Sequence, residues 1–191
     1  MLDELAKDAP FYRESGGGAT FSGGEPLQQP EFLRELLGAC RGEKISTVVD
    51  TSGQAPYSAF ASILPLIDLF LFDLKIVDDT RHLSLTGASN RLLLANLQML
   101  SRAGAPLLVR LPLVPGCNDA VADLEEAADF CAALPKRHPL HLLPYHRGYT
   151  GKLERQGRDT ALPAIQPPTM ADVERAADIF RARDLNVTIG G

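Results

Sequence analysis

The chain has 191 residues, 45% hydrophobic and 23% charged, an ordinary globular composition with room for one core, so residues 1–191 are read as a single domain. A net charge of −5 excludes the concentrated basic footprint of a nucleic-acid binder. No apolar run reaches the roughly 18 residues of a membrane span, and the acidic start Met1-Leu2-Asp3-Glu4-Leu5 is not a signal peptide, so the cytoplasm is the default location and no membrane partner is expected.

In chain order, the segment Leu2–Tyr12 reads as a helix cut short by Pro10. The run Gly16–Gly18 reads as a flexible approach to a strand, not as a phosphate loop, because no Gly-Lys-Ser/Thr follows it. Strands are expected at Ala19–Ser22, Ser46–Asp50, Leu69–Asp73, Leu107–Leu113, Leu140–Tyr145 and Asn186–Ile189. The middle four are rich in Val, Ile, Leu and Phe with little alternation, which suits parallel strands buried on both faces. Helical periodicity lies between them. Pro30–Cys40 opens on a first-turn proline and repeats Phe32, Leu33, Leu36 and Leu37. Leu92–Arg102 and Ala120–Leu134 are similar, and Thr169 reads as the cap of a helix over Met170–Arg183. The polar stretch Arg147–Pro168 has no periodicity and is long for a connection. Strand–helix alternation implies an α/β fold with a parallel sheet, and the pattern alone leaves an open sheet and a barrel both possible.

Nearly every expected strand ends in polar residues. The first runs into Ser22-Gly23-Gly24-Glu25-Pro26 and the second into Asp50-Thr51-Ser52-Gly53. The third ends Asp73-Leu74-Lys75, the fourth carries Arg110 before Val114-Pro115-Gly116, and the fifth ends Pro144-Tyr145-His146. In parallel α/β folds the strand C-termini share the rim that hosts the ligand. Two carboxylates, a lysine, an arginine and a histidine there suit a small zwitterionic or charged ligand. His82, His138 and His141 have no such placement and read as surface or packing residues. Cys40, Cys117 and Cys131 are far apart and read as reduced, packed thiols, not as disulfides or metal ligands.

These segments carry a resemblance. Gly23-Gly24-Glu25-Pro26, Asp50-Thr51-Ser52-Gly53, Phe72-Asp73-Leu74-Lys75, Arg110-Leu111-Pro112-Leu113-Val114-Pro115-Gly116 and Leu142-Leu143-Pro144-Tyr145-His146 occur in the order found in glycyl-radical-enzyme activating enzymes of the radical SAM superfamily, the pyruvate formate-lyase activating enzyme type. The resemblance implies an incomplete, TIM-like parallel α/β barrel whose C-terminal Val187-Thr188-Ile189 closes the sheet. It implies S-adenosylmethionine as cofactor, with Gly23, Gly24 and Glu25 at its methionyl ammonium and Lys75, Arg110 and His146 along its ribose and carboxylate. It further implies a monovalent cation, sodium or potassium, held by Asp50, Asp73, the Thr51 hydroxyl and the Leu71 carbonyl. Oxygen ligands suit such an ion, and the ion would offset repulsion between the two carboxylates.

The family's 4Fe–4S cluster needs three cysteines spaced Cys-x3-Cys-x2-Cys before the Gly-Gly-Glu strand, and none of the chain's three cysteines has that spacing. The expectation is therefore a truncated radical SAM domain, with the first strand–helix unit and cluster loop belonging to a full-length parent. A natural cluster-free protein is the competing expectation. The parent would form a 5′-deoxyadenosyl radical and place a glycyl radical on a partner enzyme, drawing its electron from a donor such as flavodoxin or ferredoxin, while this chain alone would be inactive. A non-catalytic module that binds S-adenosylmethionine or a peptide is the alternative. A sugar-phosphate barrel enzyme is disfavoured, because no late glycine-rich turn offers a phosphate site.

Overall fold

The computed structural model describes residues 5, 7–146 and 165–190. Six strands form one sheet in chain order: β1 (Gly18–Phe21), β2 (Ser46–Thr51), β3 (Leu69–Asp73), β4 (Leu107–Leu113), β5 (Leu140–Pro144) and β6 (Val187–Ile189). The strands are parallel, with Phe21 opposite Val49, Asp50 opposite Leu71 and Leu142 opposite Ile189. This is the strand succession of a partial parallel α/β barrel.

Two compact units divide the chain, the first comprising the residues up to Asp73 with Ser89–Val109 and Leu134–Lys136, the second the remainder. In the first, α1 (Ala9–Ser15), α2 (Pro30–Gly42), α3 (Tyr57–Ile63) and α5 (Arg91–Ala103) accompany β1–β3. Helix at Leu5 and Lys7 gives way to a turn at Asp8, and Pro10 then stands in the first turn of α1, where its missing N–H costs nothing; residues 2–4 and 6 of the expected Leu2–Tyr12 helix lie outside the described residues. Leu33, Leu36, Leu37 and Cys40 form the buried stripe of α2, while Phe32, a step off that stripe, is half exposed. Phe60 of α3 packs on Phe70 and Phe72 of β3 with ring centroids 5.9 and 6.4 Å apart. Gly18 is a strand residue, because a Cβ there would stand 2.1 Å from the Ser46 carbonyl oxygen. It is required by close backbone approach, not by flexibility.

The second unit holds α4 (Asp79–Thr86), α6 (Val121–Ala132) and α7 (Met170–Arg181) with the end of β4, β5 and β6. Thr169 caps α7 in a reciprocal box with Asp172, as the sequence predicts. The Asp78 carboxylate caps α4 by accepting from the Arg81 N–H at 2.7 Å, and Gly87 ends it in the left-handed conformation. Buried His82 is a packing residue whose Nδ1 meets the Ala88 carbonyl at 2.8 Å. The polar stretch Arg147–Pro168 falls, over 147–164, outside the described residues.

Burial along the strands alternates where none was expected. In β2 and β3, Thr47, Val49, Thr51, Phe70 and Phe72 are buried, while Val48, Asp50, Leu69, Leu71 and Asp73 are half-buried. β4 repeats the pattern, with Leu108, Arg110 and Pro112 half-buried. One face of these strands is fully packed and the other only partly covered, so the doubly buried reading is corrected.

Candidate functional site

The chemistry-bearing residues of the first unit sit where β1, β2 and β3 end. Asp50 and Leu71 are cross-strand neighbours, and Asp73 follows Leu71 on the same half-buried face. A parallel ladder places neighbouring strands about 4.8 Å apart, so the two carboxylates share one surface of the sheet. Beyond β1 the chain turns through Gly23, which stands at φ +124, and both Gly23 and Gly24 face open space where a side chain would be.

Glu25 lies between these strand ends. Its Oε1 accepts from the Thr51 hydroxyl at 2.8 Å and from the Leu27 N–H at 3.4 Å. Its Oε2 accepts from the Ser52 N–H at 2.9 Å and the Ser52 hydroxyl at 2.7 Å. The Thr51 hydroxyl, 2% exposed as a residue, also accepts from the Gly53 N–H at 3.0 Å. Behind this turn the buried Asn96 amide of α5 donates to the Gly53 and Ala55 carbonyls at 2.9 and 2.7 Å. The Gln54 side chain reaches the Ser89 carbonyl, and the Gln28 side chain the Gln54 carbonyl. The residue 51–55 turn is thus held from several directions before any ligand arrives.

In the second unit, Lys75 follows β3 and Arg110 lies on the half-buried face of β4, and both are engaged in further interactions. His146 is exposed just beyond β5, where the Tyr145 N–H donates to the Leu113 carbonyl. Asn118, 5% exposed, ties this unit's loops together. Its amide nitrogen donates to the Lys75 carbonyl at 2.9 Å and the Pro112 carbonyl at 2.7 Å, and its amide oxygen accepts from the Val114 N–H at 2.8 Å. Arg81 joins the Asp123 carboxylate and the Cys117 carbonyl nearby.

A family profile for the radical SAM superfamily matches residues 1–131. The chain belongs to the radical SAM superfamily. Its curated relatives include activating enzymes. It is 35% identical to choline trimethylamine-lyase activating enzyme of Oleidesulfovibrio alaskensis, over 99% of this chain and 62% of that protein. It is 36% identical to pyruvate formate-lyase 2-activating enzyme of Escherichia coli, over 98% of this chain and 64% of that protein. The chain therefore spans about three-fifths of the length of the curated relatives it matches. A crystal structure of a domain of pyruvate-formate lyase-activating enzyme from Bacteroides vulgatus superposes with a TM-score of 0.79 at 32% identity, covering 92% of this chain and 99% of that one.

The superfamily implies S-adenosylmethionine and a 4Fe–4S cluster, and the residues present answer differently to each. Cluster ligation takes cysteine thiolates gathered at one point. Cys40 lies in α2, Cys131 in α6, and Cys117 in the loop after β4. Burial raises the Cys40 thiol and pushes Cys131 up to about 12, the chemistry of a core thiol. Among the described residues no three of His, Cys, Asp and Glu gather as a metal-ligand set. The chain's own residues do not fit the cluster. The open Gly23–Gly24 turn beside a sheet face carrying two carboxylates does fit a zwitterionic ligand. Among the described residues no helix is long and apolar enough to cross a membrane.

Sequence reasoning missed Ser52, Asn96 and Asn118. Ser52 stands inside the Asp50-Thr51-Ser52-Gly53 segment, but its partner, Glu25, lies 27 residues away and leaves no local pattern. Asn96 left one signal, an amide among Leu93, Leu97 and Leu100 on the buried face of α5.

Proposed function

We propose that this chain is the S-adenosylmethionine-binding portion of an activating enzyme that places a glycyl radical on a partner enzyme through a 5′-deoxyadenosyl radical. The observation that carries the reading is the open Gly23–Gly24 turn, locked through Glu25 to the end of β2 beside the face shared by Asp50 and Asp73. The relatives' names support an activating role, and they name different partners, choline trimethylamine-lyase and pyruvate formate-lyase 2, so the partner is assigned only as a glycyl radical enzyme.

In this reading the backbone at Gly23 and Gly24 meets the methionyl ammonium. Lys75, Arg110 and His146 serve the ribose and carboxylate. Asp50 and Asp73, with the Thr51 hydroxyl and the Leu71 carbonyl, hold a sodium or potassium ion that screens the ligand's carboxylate from theirs. The site is that of a cytoplasmic enzyme supplied with electrons by a donor such as flavodoxin or ferredoxin. Because the chain's residues do not provide the cluster ligands, this polypeptide alone is assigned binding and not reductive cleavage.

Titration calorimetry tests this directly. A few net hydrogen bonds of about 0.5–1.5 kcal/mol each give an affinity on the order of millimolar. Binding should tighten with potassium, and Asp50→Ala should abolish that gain. Micromolar or tighter binding would instead identify a dedicated, non-catalytic binding module. Absence of saturable binding would refute the cofactor assignment.

A further inference from the structure

Resting on the reading of this turn as part of the cofactor site, we propose that Glu25 is a positioning residue which locks the exit of β1 to the exit of β2 and does not itself contact the ligand. An ionised carboxylate offers about four lone-pair positions, two on each oxygen. All four are taken by the chain itself: the Thr51 hydroxyl and the longer Leu27 N–H on Oε1, the Ser52 N–H and Ser52 hydroxyl on Oε2. A ligand ammonium could bind Glu25 only by displacing one of these donors. The three bonds from Thr51 and Ser52, at 2.8, 2.9 and 2.7 Å, have the length of strong charge-assisted bonds, and two of the four donors are backbone groups that cannot turn elsewhere.

The arrangement also explains what Glu25 does for its neighbours. The 51–55 turn is held from the α5 side by Asn96 on the Gly53 and Ala55 carbonyls. Its outer edge, Thr51 and Ser52, receives side-chain acceptors from Glu25. Thr51 passes the restraint on, since its hydroxyl donates to Glu25 while accepting from the Gly53 N–H. Asp50 directly precedes this turn, and Gly24 directly precedes Glu25. Releasing the carboxylate would therefore loosen both the proposed ammonium-binding backbone and the proposed cation ligand, although Glu25 touches neither ligand.

The test uses the full 191-residue chain as wild type, Glu25→Ala, Ser52→Ala, Thr51→Val and Thr51→Ser. The first measurement is amide hydrogen exchange without ligand. Glu25→Ala and Thr51→Val are expected to speed exchange at Ser52 and Gly53 by about tenfold, the equivalent of one such bond at about 1.4 kcal/mol, with Thr51→Ser close to wild type. Unchanged exchange in Glu25→Ala overturns the proposal. The second measurement is the affinity for S-adenosylmethionine. Positioning requires that Ser52→Ala and Thr51→Val weaken binding about as much as Glu25→Ala, that combinations weaken it no further, and that Thr51→Ser restore it. Loss in Glu25→Ala alone, with Ser52→Ala and Thr51→Val at wild-type affinity, means a direct ligand contact and overturns the proposal. If wild type binds no S-adenosylmethionine, the cofactor assignment fails, while the exchange measurement still decides whether Glu25 organises the turn. Should Glu25→Ala fail to fold, Ser52→Ala and Thr51→Val carry both measurements.

Discussion

Replacing Gly53 by alanine measures how closely the exit of β2 is packed. Gly53 stands at φ +78, and a Cβ there would lie 2.4 Å from Cζ of Phe72 and 2.8 Å from Cβ of Leu93. Neither neighbour has room to retreat, since Phe72 is fully buried against Phe60 and Leu93 is 3% exposed. Two costs add. A left-handed conformation at a residue with a side chain costs about 1–3 kcal/mol, and overpacking a filled core costs about 1–3 kcal/mol. The expected destabilisation is therefore about 2–6 kcal/mol, or roughly 4–24 °C in Tm for a chain of this size. Urea unfolding followed by circular dichroism would measure it in Gly53→Ala, Phe72→Leu and the double variant. Phe72→Leu alone should cost about 1–3 kcal/mol through the cavity it leaves. In the double variant the smaller side chain makes room for the new methyl group, so the two effects should fall short of their sum by about 1 kcal/mol or more. Additivity within about 0.5 kcal/mol would refute the packing argument.

Asn118→Ala strips partners from the Lys75 and Pro112 carbonyls and the Val114 N–H in a buried setting. It should cost about 2–4 kcal/mol in urea unfolding. The Thr169 hydroxyl and N–H, then the Arg175 guanidinium, hold the Asp172 carboxyl below the usual carboxylate range. The folded state therefore binds fewer protons there than the unfolded state. This contribution is present above the unfolded pKa and is lost as pH falls through the folded one. The gap in unfolding midpoint between wild type and Asp172→Asn should accordingly close as pH drops below about 4. For the thiols, a reagent titration at about pH 8 should modify Cys117 first and reach Cys40 and Cys131 only on unfolding, as their burial requires. Since an unfolded thiol ionises while Cys131 keeps its proton up to about 12, stability should fall as pH rises above about 9.

The strands were legible because Val, Ile, Leu and Phe concentrate in short runs, and their polar ends were legible because a strand stops where its residues meet water or a ligand. Their faces were not. Leu69 and Leu71 share the half-buried face with Asp73, so hydrophobicity does not report which side is covered. Helix α3 escaped notice because its seven residues hold too few turns to establish a period and its side chain at the start offers no cap. Helix α4 carried its signals, the Asp78 cap and Gly87, but its buried face reduces to His82, so no apolar stripe announces it.

The candidate site divides along the same line. Residue types were readable, since acids, a lysine, an arginine and glycines follow apolar runs at recognisable spacing. Roles were not, because a role depends on which donors a side chain meets after folding. Glu25 shows this most sharply. The sequence places a carboxylate two residues after Gly23, and a carboxylate there is an obvious ligand for an ammonium group. Its donors come from Thr51 and Ser52, 26 and 27 residues away, and they arrive only because the parallel register sets Phe21 opposite Val49 and brings the two strand exits level. The same holds for Asn96, whose amide meets Gly53 and Ala55 from 43 and 41 residues away. Side-chain bonds to distant backbone leave no local pattern. A motif can therefore name the residue that matters while leaving open whether it touches the ligand or holds the backbone that does, and the positioning role proposed for Glu25 rests on donors that only the folded chain brings to it.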